Sequence, residues 1–269
     1  MSNCLPFLKW PGGKRWILPY IEKYINVDEI INYYEPFLGG GAVFFSYNFK
    51  TAYLSDNNEN LINVYNIVKE RPDLIIAKIK NISEDKNTYY KLRSTVFDND
   101  IDKAVQFIYL NRLAFGGMYR VNLNGEFNVP YGENKTTSIL WSKDLLINAS
   151  NKLKNAHLNC SDFQELMRKA NDGDLIYCDP PYTVSHNKNG FIKYNQNLFQ
   201  WEDQVRLAEE CILASQKGVK IIVSNAAHES IRKLYMPINP IIVSRFSGIS
   251  KVSKFRQNVE EYLFLFNFK

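Results

Sequence analysis

The order of apolar runs and glycines in the first 70 residues most restricts the fold of this chain. The apolar run EIINYYEPF leads into FLGGGAVFF, which predicts a strand, a glycine turn and a helix. TAYLSD predicts a second strand, and NENLINVYNIVKE a second helix, because its leucine, valine and isoleucine recur at helical spacing. Strands that alternate with helices favour a parallel α/β sheet.

A break in this alternation predicts an inserted subdomain. From residue 71 to residue 156, helical segments accompany an irregular stretch rich in glycine and asparagine, AFGGMYRVNLNGEFNVPYGENK. A loop this long is unusual inside a compact sheet unless it has a function of its own. We therefore expect residues 1–70 and 157–269 to form one domain, and residues 71–156 to form an insertion between the second and third strands.

The alternation resumes after the insertion. AHLNCSDF and DLIYCDPPY predict two strands, QWEDQVRLAEECILASQKG predicts a helix that Gly218 would cap, and VKIIVSN predicts a further strand. The last segment, PIIVSRFSGISKVSKFRQNVEEYLFLFNFK, predicts two strands joined by a basic loop. The expected fold class is therefore α/β, with a mostly parallel sheet closed by a C-terminal antiparallel hairpin.

Composition and charge exclude few classes of function. Of the 269 residues, 45% are apolar and 23% are charged, which suits a globular chain, and the net charge of +5 permits a nucleic-acid partner without requiring one. The four cysteines, at positions 4, 160, 178 and 211, form no C-x-x-C pair, so neither a zinc site nor a disulfide framework is expected. The sequence has no signal-like or membrane-spanning run, and a cytoplasmic protein is expected.

Acidic side chains stand at the ends of four predicted strands. Glu35 precedes the glycine turn, Asp56 ends TAYLSD, and Asp162 and Asp179 follow the next two strands. Ligands of open α/β sheets bind outside the carboxyl ends of the strands, and acids there suit the hydroxyls of a nucleoside. The glycine spacing fails G-x-G-x-x-G, since Phe44 takes the sixth position, so a dinucleotide is disfavoured. The alternatives are that Asp56 and Asp162 are helix N-caps and that the glycines serve packing alone.

The stretch DPPY, from Asp179 to Tyr182, directly follows an apolar strand. The two prolines fix their own φ angles and restrict the residue before each of them, so a carboxylate, two backbone carbonyls and a ring are held in one geometry. Methylation of an exocyclic amine of a base needs acceptors for the amine hydrogens, a ring that stacks on the base, and a methyl donor in line with the nitrogen. The alternative is a Pro-Pro turn that only ends the strand.

Four stretches of the chain resemble the Dam-type DNA adenine methyltransferases, the class alpha family with the DPPY motif. They are FLKWPGGK, EPFLGGGAVF, RLAFGGMYRVNLNGEFNVPYG and CDPPY, which follow the family's order over nearly the whole chain. The resemblance implies a Rossmann-like methyltransferase fold in which the insertion is a DNA-recognition subdomain. It also implies site-specific transfer of a methyl group from S-adenosyl-L-methionine to adenine N6 of duplex DNA, with base flipping and with GATC as the target.

The same resemblance implies roles for individual residues. The residues implied in catalysis are Asp179, Pro180, Pro181 and Tyr182, whose ring would stack on the flipped adenine. The residues implied in cofactor binding are Trp10, Gly12, Lys14, Glu35, Phe37, Gly39, Asp56, Asp162, Phe163 and Asp179. Among these, Asp56 would bind the ribose hydroxyls, and Asp162 with Phe163 the cofactor's adenine. The residues implied in DNA binding are Lys9, Phe115, Arg120, Asn128 and Pro130, with Lys9 and Arg120 as readers of bases.

The basic loop before the last strand is a further candidate for DNA contact. It contains Arg245, Lys251, Lys254 and Arg256 interleaved with phenylalanines, which suits phosphate contacts, although such runs are usually solvated faces. We expect no metal, no covalent enzyme intermediate and no membrane partner. A monomer is expected, since it can serve a palindromic site by acting twice, and a cognate restriction endonuclease is a candidate partner.

Other functions remain open from the sequence alone. Cytosine-N4 enzymes with this fold tend to have serine at the position of Asp179, and protein-glutamine and RNA-guanine enzymes tend to have asparagine, so the aspartate favours adenine. A catalytically silent DNA-binding protein would be expected to have lost DPPY or WPGGK, and both are present. A nicotinamide oxidoreductase is disfavoured by the glycine spacing.

Overall fold

A computed structural model describes residues 4–122, 124–132, 142–184, 199–246 and 258–268, with the backbone alone at 245, 246 and 258. In this part of the chain seven strands form one sheet in the order β3-β2-β1-β4-β5-β7-β6. The strands are β1 Tyr33–Glu35, β2 Ala52–Asp56, β3 Ala156–Cys160, β4 Leu175–Cys178, β5 Lys220–Ala226, β6 Ile241–Phe246 and β7 Asn258–Phe266.

The directions of these strands confirm the predicted fold class. β1 pairs in parallel with β2 and β4, and β4 pairs in parallel with β5. β7 lies between β5 and β6 and is antiparallel to both. The sheet is therefore mostly parallel and ends in an antiparallel hairpin, as expected of a Rossmann-like methyltransferase fold.

Helices connect the strands of this sheet. The α-helices of the described residues are α1 Leu18–Ile21, α2 Ala42–Ser46, α3 Glu59–Glu70, α4 Pro72–Ile79, α5 Lys86–Ser94, α6 Asp100–Leu113, α7 Lys143–Leu153, α8 Phe163–Met167, α9 Trp201–Gln216 and α10 Glu229–Leu234. Short 3₁₀ turns occur at Arg15–Ile17, Glu22–Tyr24 and Phe115–Gly117. None of the helices in the described ranges has the length and apolar character needed to cross a membrane.

The chain divides into two compact units. The first contains Met1–Arg15, Gly39–Asn48 and Asp56–Cys160, and the second contains Trp16–Leu38, Phe49–Ser55 and Ser161–Lys269. The range 71–156 lies within the first unit, and its role as a separate recognition subdomain stays a prediction.

The core of the second unit explains why β4 is apolar throughout. All four residues of β4, Leu175–Cys178, are buried, as are all three residues of β1. Helices cover parallel sheets on their faces, so their strands have no solvent-facing side for polar residues. Buried residues of α8, α9 and α10 pack with β4, β5 and β7 in one apolar cluster.

In the first unit a cluster of aromatic side chains supports the irregular segment after α6. Tyr89, Tyr109 and Leu113 are buried there, and Phe127 and Tyr131 pack against them. Two isolated antiparallel bridges, Ala114 with Tyr131 and Val121 with Phe127, fold this segment back on itself. The segment is thus ordered by its own bridges and by α5 and α6.

The glycine after α9 tests the predicted helix end. Gly218 has a φ of +90°, and its N–H donates to the Ser215 carbonyl at 3.0 Å, so it ends the helix as predicted. A Cβ at this position would lie 2.6 Å from Asp172 Oδ1. We expect Gly218→Ala to lower the free energy of unfolding by about 1–3 kcal/mol, from the positive φ and from this close approach.

Urea unfolding followed by circular dichroism measures this loss. Gly125→Ala is the matched control, because Gly125 has a φ of +80° and nothing within 4 Å of the added Cβ. The loss at Gly218 should exceed the loss at Gly125. Equal losses would mean that the close approach to Asp172 does not contribute to the change in the free energy of unfolding.

Candidate active site

In the second unit, the loop after β4 is held by side chains of β5 and α9. Cys178 is level with Val223 in the parallel pairing, so Asp179 comes beside Ser224. Ser224 Oγ donates to Asp179 Oδ1 at 2.8 Å, and Tyr177 Oη lies 3.2 Å from the same serine oxygen. These contacts fix the Asp179 carboxylate at the carboxyl end of the strand, where the sequence predicts it.

The second proline of DPPY is fixed through its carbonyl. Gln204 Nε2, on α9, donates to the Pro181 oxygen at 3.1 Å, and Asn225 Nδ2 donates to Gln204 Oε1 at 2.9 Å. Gln204 and Asn225 are fully buried. A buried amide that lost its partners would cost the full desolvation of its polar atoms, so this chain of hydrogen bonds resists displacement.

The tyrosine of DPPY is hydrogen-bonded at its hydroxyl. Tyr182 Oη donates to Glu261 Oε2, on β7, at 2.5 Å. Burial, then the negative charges of Glu261 and Asp179, raise the pKa of Tyr182 well above its ordinary value. The phenol therefore keeps its proton at neutral pH and acts as a donor.

Glu35 and Phe37 lie in the second unit, as DPPY does, and Phe37 contacts Phe163. Tyr33 Oη donates to Glu35 Oε2 at 2.8 Å, and Glu35 is 2% exposed at the end of β1. The Phe37 ring stacks on the Phe163 ring with centroids 5.3 Å apart. The structure therefore brings Phe37 and Phe163 together.

Asp162 has a structural role that the sequence left open. Its side chain accepts from the Gln164 N–H at 3.0 Å and so caps α8. It also forms an ion pair with Arg206 at 2.9 Å, and that guanidinium lies 4.9 Å from the centre of the Phe163 ring. Asp162 is therefore an N-cap, and its proposed contact with the cofactor's adenine would be an additional role.

In the first unit, the glycine turn packs against the indole of Trp10. Gly39 has a φ of +46°, and a Cβ there would lie 2.7 Å from Trp10 Cδ1. The indole also stacks with other rings: its centroid is 5.0 Å from that of Tyr119 and 6.4 Å from that of Phe107. Glycine at position 39 is thus needed for the indole to reach the backbone. The preceding turn contains Gly12, with a φ of +77°, and the buried Lys14.

Asp56 holds the same glycine turn. Its Oδ2 accepts from the Gly39 N–H and its Oδ1 from the Asn58 N–H, each at 3.0 Å. The N-cap of α3 is Asn58, whose side chain accepts from the Leu61 N–H. The alternative in which Asp56 is the N-cap is therefore wrong. Burial raises the pKa of Asp56 against the lowering effect of these backbone hydrogen bonds.

Lys9 is fixed by a buried asparagine of α6. The Lys9 N–H donates to Asn111 Oδ1 at 2.9 Å, and Asn111 Nδ2 donates to the Lys9 carbonyl at 2.6 Å. The ammonium group donates to the Arg112 carbonyl at 3.3 Å. Burial, and then the charge of Arg112, lower the pKa of Lys9.

The other predicted DNA-binding residues of the first unit lie on the segment after α6. Arg120 Nε donates to Asn128 Oδ1 at 2.7 Å, and the Asn128 N–H donates to the Arg120 carbonyl at 3.0 Å. Phe115 is 44% exposed, and its N–H donates to the Pro130 carbonyl at 2.9 Å. Sequence reasoning named Arg120 and Asn128 separately, whereas the structure pairs them.

Most of the basic loop lies outside the described residues. Arg245 lies in β6, level with Val259 of β7, and its side chain lies outside the described residues. Lys251, Lys254 and Arg256 also lie outside them. Within the described ranges no group of three or more His, Cys, Asp or Glu side chains is arranged to hold a metal ion.

Several supporting residues were not found from the sequence. Ser224, Gln204, Asn225 and Glu261 each contact DPPY directly or through one neighbour. The polar pair after VKIIV and the adjacent acids in NVEEYLF were the available signals, because polar residues in buried strands require partners.

Comparison with known proteins gives a consistent result. Residues 10–249 match the family described as "D12 class N6 adenine-specific DNA methyltransferase". The chain is 36% identical over 264 residues to the Type II methyltransferase M1.LlaDCHI of Lactococcus lactis subsp. cremoris, covering 94% of this chain and 92% of that protein. It is 33% identical over 273 residues to the DNA adenine methylase of Escherichia coli (strain K12), covering 99% and 96%. A third relative is the Type II methyltransferase M.MjaIII of Methanocaldococcus jannaschii, 36% identical over 257 residues, covering 87% and 89%.

The raised pKa of Asp56 predicts a pH dependence of stability. A carboxyl whose pKa is higher in the folded than in the unfolded state stabilises the fold in acid, and this contribution is lost as the pH rises through the folded pKa. Asn at this position keeps an oxygen acceptor but cannot ionise. We therefore expect the free energy of unfolding of the wild type, relative to Asp56→Asn, to fall as the pH rises from about 4 toward neutrality.

Urea unfolding of both proteins at a series of pH values measures this difference. A wild type that gains stability over Asp56→Asn as the pH rises would show that the backbone hydrogen bonds outweigh burial at this carboxylate.

Proposed function

Because the chain belongs to the D12 class of N6 adenine-specific DNA methyltransferases, we propose that it transfers a methyl group from S-adenosylmethionine to adenine N6 at GATC in duplex DNA. The observation that carries this proposal is the fixed geometry of DPPY in the second unit. Its carboxylate, its second proline carbonyl and its tyrosine hydroxyl are each hydrogen-bonded to a different element.

This geometry suits a weakly nucleophilic amine. The lone pair of adenine N6 is delocalised into the ring, so acceptors for the amine hydrogens must be in place before the reaction. Asp179 is held through Oδ1 by Ser224, and an ionised carboxylate offers about four acceptor sites in all. Asp179 would accept a hydrogen bond from the amine, and Tyr182 would stack on the base.

The residues present fit S-adenosylmethionine. In the second unit, the Phe37 and Phe163 rings beside Asp162 would contact its adenine, and Glu35 and Asp179 its methionine end. In the first unit, Trp10, Gly12, Lys14, Gly39 and Asp56 would take the cofactor roles that the sequence predicts, with Asp56 on the ribose hydroxyls. The bound cofactor would supply the methyl group. No step requires a metal or a covalent link to the enzyme.

Among the described residues, the proposed readers of the DNA sequence lie in the first unit. The paired Arg120 and Asn128 would read a base pair, Lys9 another, and the exposed Phe115 would enter the base stack beside Pro130. Adenine N6 is hydrogen-bonded inside a base pair, so the target nucleotide must leave the helix. Arg245, Lys251, Lys254 and Arg256 would contact phosphates. The proposal includes a monomer that acts once on each strand, and a cognate restriction endonuclease as partner.

The test of this function is methylation in a host that lacks adenine methylation. We expect DNA from cells that express the protein to be cut by a nuclease specific for methylated GATC, and sequencing to find N6-methyladenine at GATC. Asp179→Ala should abolish the modification with an unchanged circular dichroism spectrum, because it removes the acceptor for the amine.

One control variant and two refuting outcomes make this test decisive. Glu209→Ala removes an exposed acid from α9 of the same unit, and its methylation should equal that of the wild type. Modified adenines at another sequence would retain the enzyme class and refute GATC. Substantial methylation by Asp179→Ala would refute the site.

The proposed role of Arg120 predicts a change in specificity. Arg120→Ala should reduce discrimination at one base pair by about 1–3 kcal/mol, because a bidentate contact to guanine is lost. Methylation rates on duplexes with each single substitution in the target measure this. Arg120→Lys keeps the charge but not the planar fork, so it should lose discrimination while retaining more DNA affinity than Arg120→Ala. Unchanged discrimination in both variants would exclude Arg120 as a reader.

A further inference from the structure

Glu261 is a carboxylate in an apolar position of the sheet. It lies on β7, level with Ala226 of β5 on one side and Val243 of β6 on the other. Glu261 and Ala226 are 0% exposed and Val243 is 1% exposed. Leu263, two residues further on the same face of the strand, is also fully buried.

A charge in such a position is costly to the fold. Glutamate is almost never fully buried unless it is paired, and well-packed apolar residues in place of buried charges are often neutral or stabilising. Local stability alone would favour another apolar residue between Ala226 and Val243. The packing of β7 therefore does not explain why position 261 has a glutamate.

The hydrogen bond between Glu261 and Tyr182 offers an explanation for the glutamate. Its Oε2 accepts from the Tyr182 hydroxyl at 2.5 Å, a length typical of a hydrogen bond between a hydroxyl and a carboxylate. The two residues are 79 positions apart, so the bond ties the loop after β4 to a strand that does not pair with β4.

We propose that Glu261 is a positioning residue for the methyl transfer, which holds the Tyr182 ring in the orientation that stacks on the target base. The inference rests on the proposed function, in which Tyr182 receives the flipped adenine. The backbone before Tyr182 is already fixed by two prolines and by the bond from Gln204 to the Pro181 carbonyl. The torsions of the ring remain to be set, and a bond at the far end of the side chain sets them.

A ring held at both its Cα and its hydroxyl presents one face without reorganisation. A base stacks on the face of an aromatic side chain, and misplacement of reacting groups by about 1 Å can cost a hundredfold in rate. Glu261 would thus act on the rate at which a bound base reacts, through Tyr182, and not on the affinity for DNA or for the methyl donor.

The experiment is a double-mutant cycle on the full chain. Single-turnover methylation of a duplex is measured at saturating DNA and S-adenosylmethionine for the wild type, Glu261→Leu, Tyr182→Phe and the double variant. We expect Glu261→Leu to slow the reaction about tenfold or more, which is the loss of one hydrogen bond to a charged group. In the Tyr182→Phe background the same substitution should have no further effect, because the hydroxyl through which it acts is gone.

Stability separates this role from a structural one. In the double variant Glu261→Leu/Tyr182→Phe both partners are apolar, so its urea midpoint should equal or exceed that of the wild type while its rate stays low. Glu261→Gln keeps an oxygen acceptor and should recover part of the lost rate. Glu260→Gln is the matched control, since Glu260 is the exposed neighbour on the opposite face of β7, and its rate should equal that of the wild type.

Two outcomes would overturn the inference. An unchanged single-turnover rate in Glu261→Leu would do so, and so would equal losses from Glu261→Leu in the Tyr182 and Tyr182→Phe backgrounds. If the wild type itself methylates no adenine, the proposed function fails first. A wild type that is active alongside an equally active Glu261→Leu would refute only the role of Glu261.

Discussion

The burial of β4 between two parallel neighbours is the constraint on which the rest of the site depends. β4 pairs with β1 on one side and β5 on the other, and none of its four side chains reaches solvent. A strand in this position can place a polar side chain only where it ends. Asp179 follows the last residue of β4, and the aligned end of β5 places Ser224 beside it. Because both strands are fixed in the sheet, the Asp179 carboxylate is also held in one position.

The strands and the long helices could be predicted because their signals are local. The run LIYC is apolar at every position, and α9 has its glycine in place at the end. Short elements were not predicted. The helix α8, for example, has five residues, which are too few for a helical period to be recognised. The nine-residue run EIINYYEPF gives a strand of only three residues, Tyr33–Glu35. The same run contains Ile31, which is 61% exposed, so an apolar run alone determines neither the length of a strand nor the burial of each residue.

The contacts around the candidate site residues were predictable where neighbouring residues make them and not where distant residues do. DPPY and the glycine turn are rigid in themselves, whereas Glu261 and Asn111 reach their partners across 79 and 102 residues. Asp56 and Asn58 both have side chains suited to capping, and the hydrogen bond from the Leu61 N–H to the Asn58 side chain identifies Asn58 as the cap. The acids of NVEEY were a usable signal, since adjacent strand residues face opposite sides and one of the two is buried in a central strand.

The hydrogen bond between Tyr182 and Glu261 also has a consequence for folding during synthesis of the chain. A ribosome that adds about 5–20 residues per second makes Glu261 roughly 4–16 s after Tyr182, given their separation of 79 residues. β5 ends 44 residues after Tyr182, so β4 and β5 can pair only in the later part of that interval, while Tyr182 still lacks its hydrogen bond to Glu261. The bond that holds the Tyr182 hydroxyl can therefore form only after β7 has been synthesised and has paired with β5.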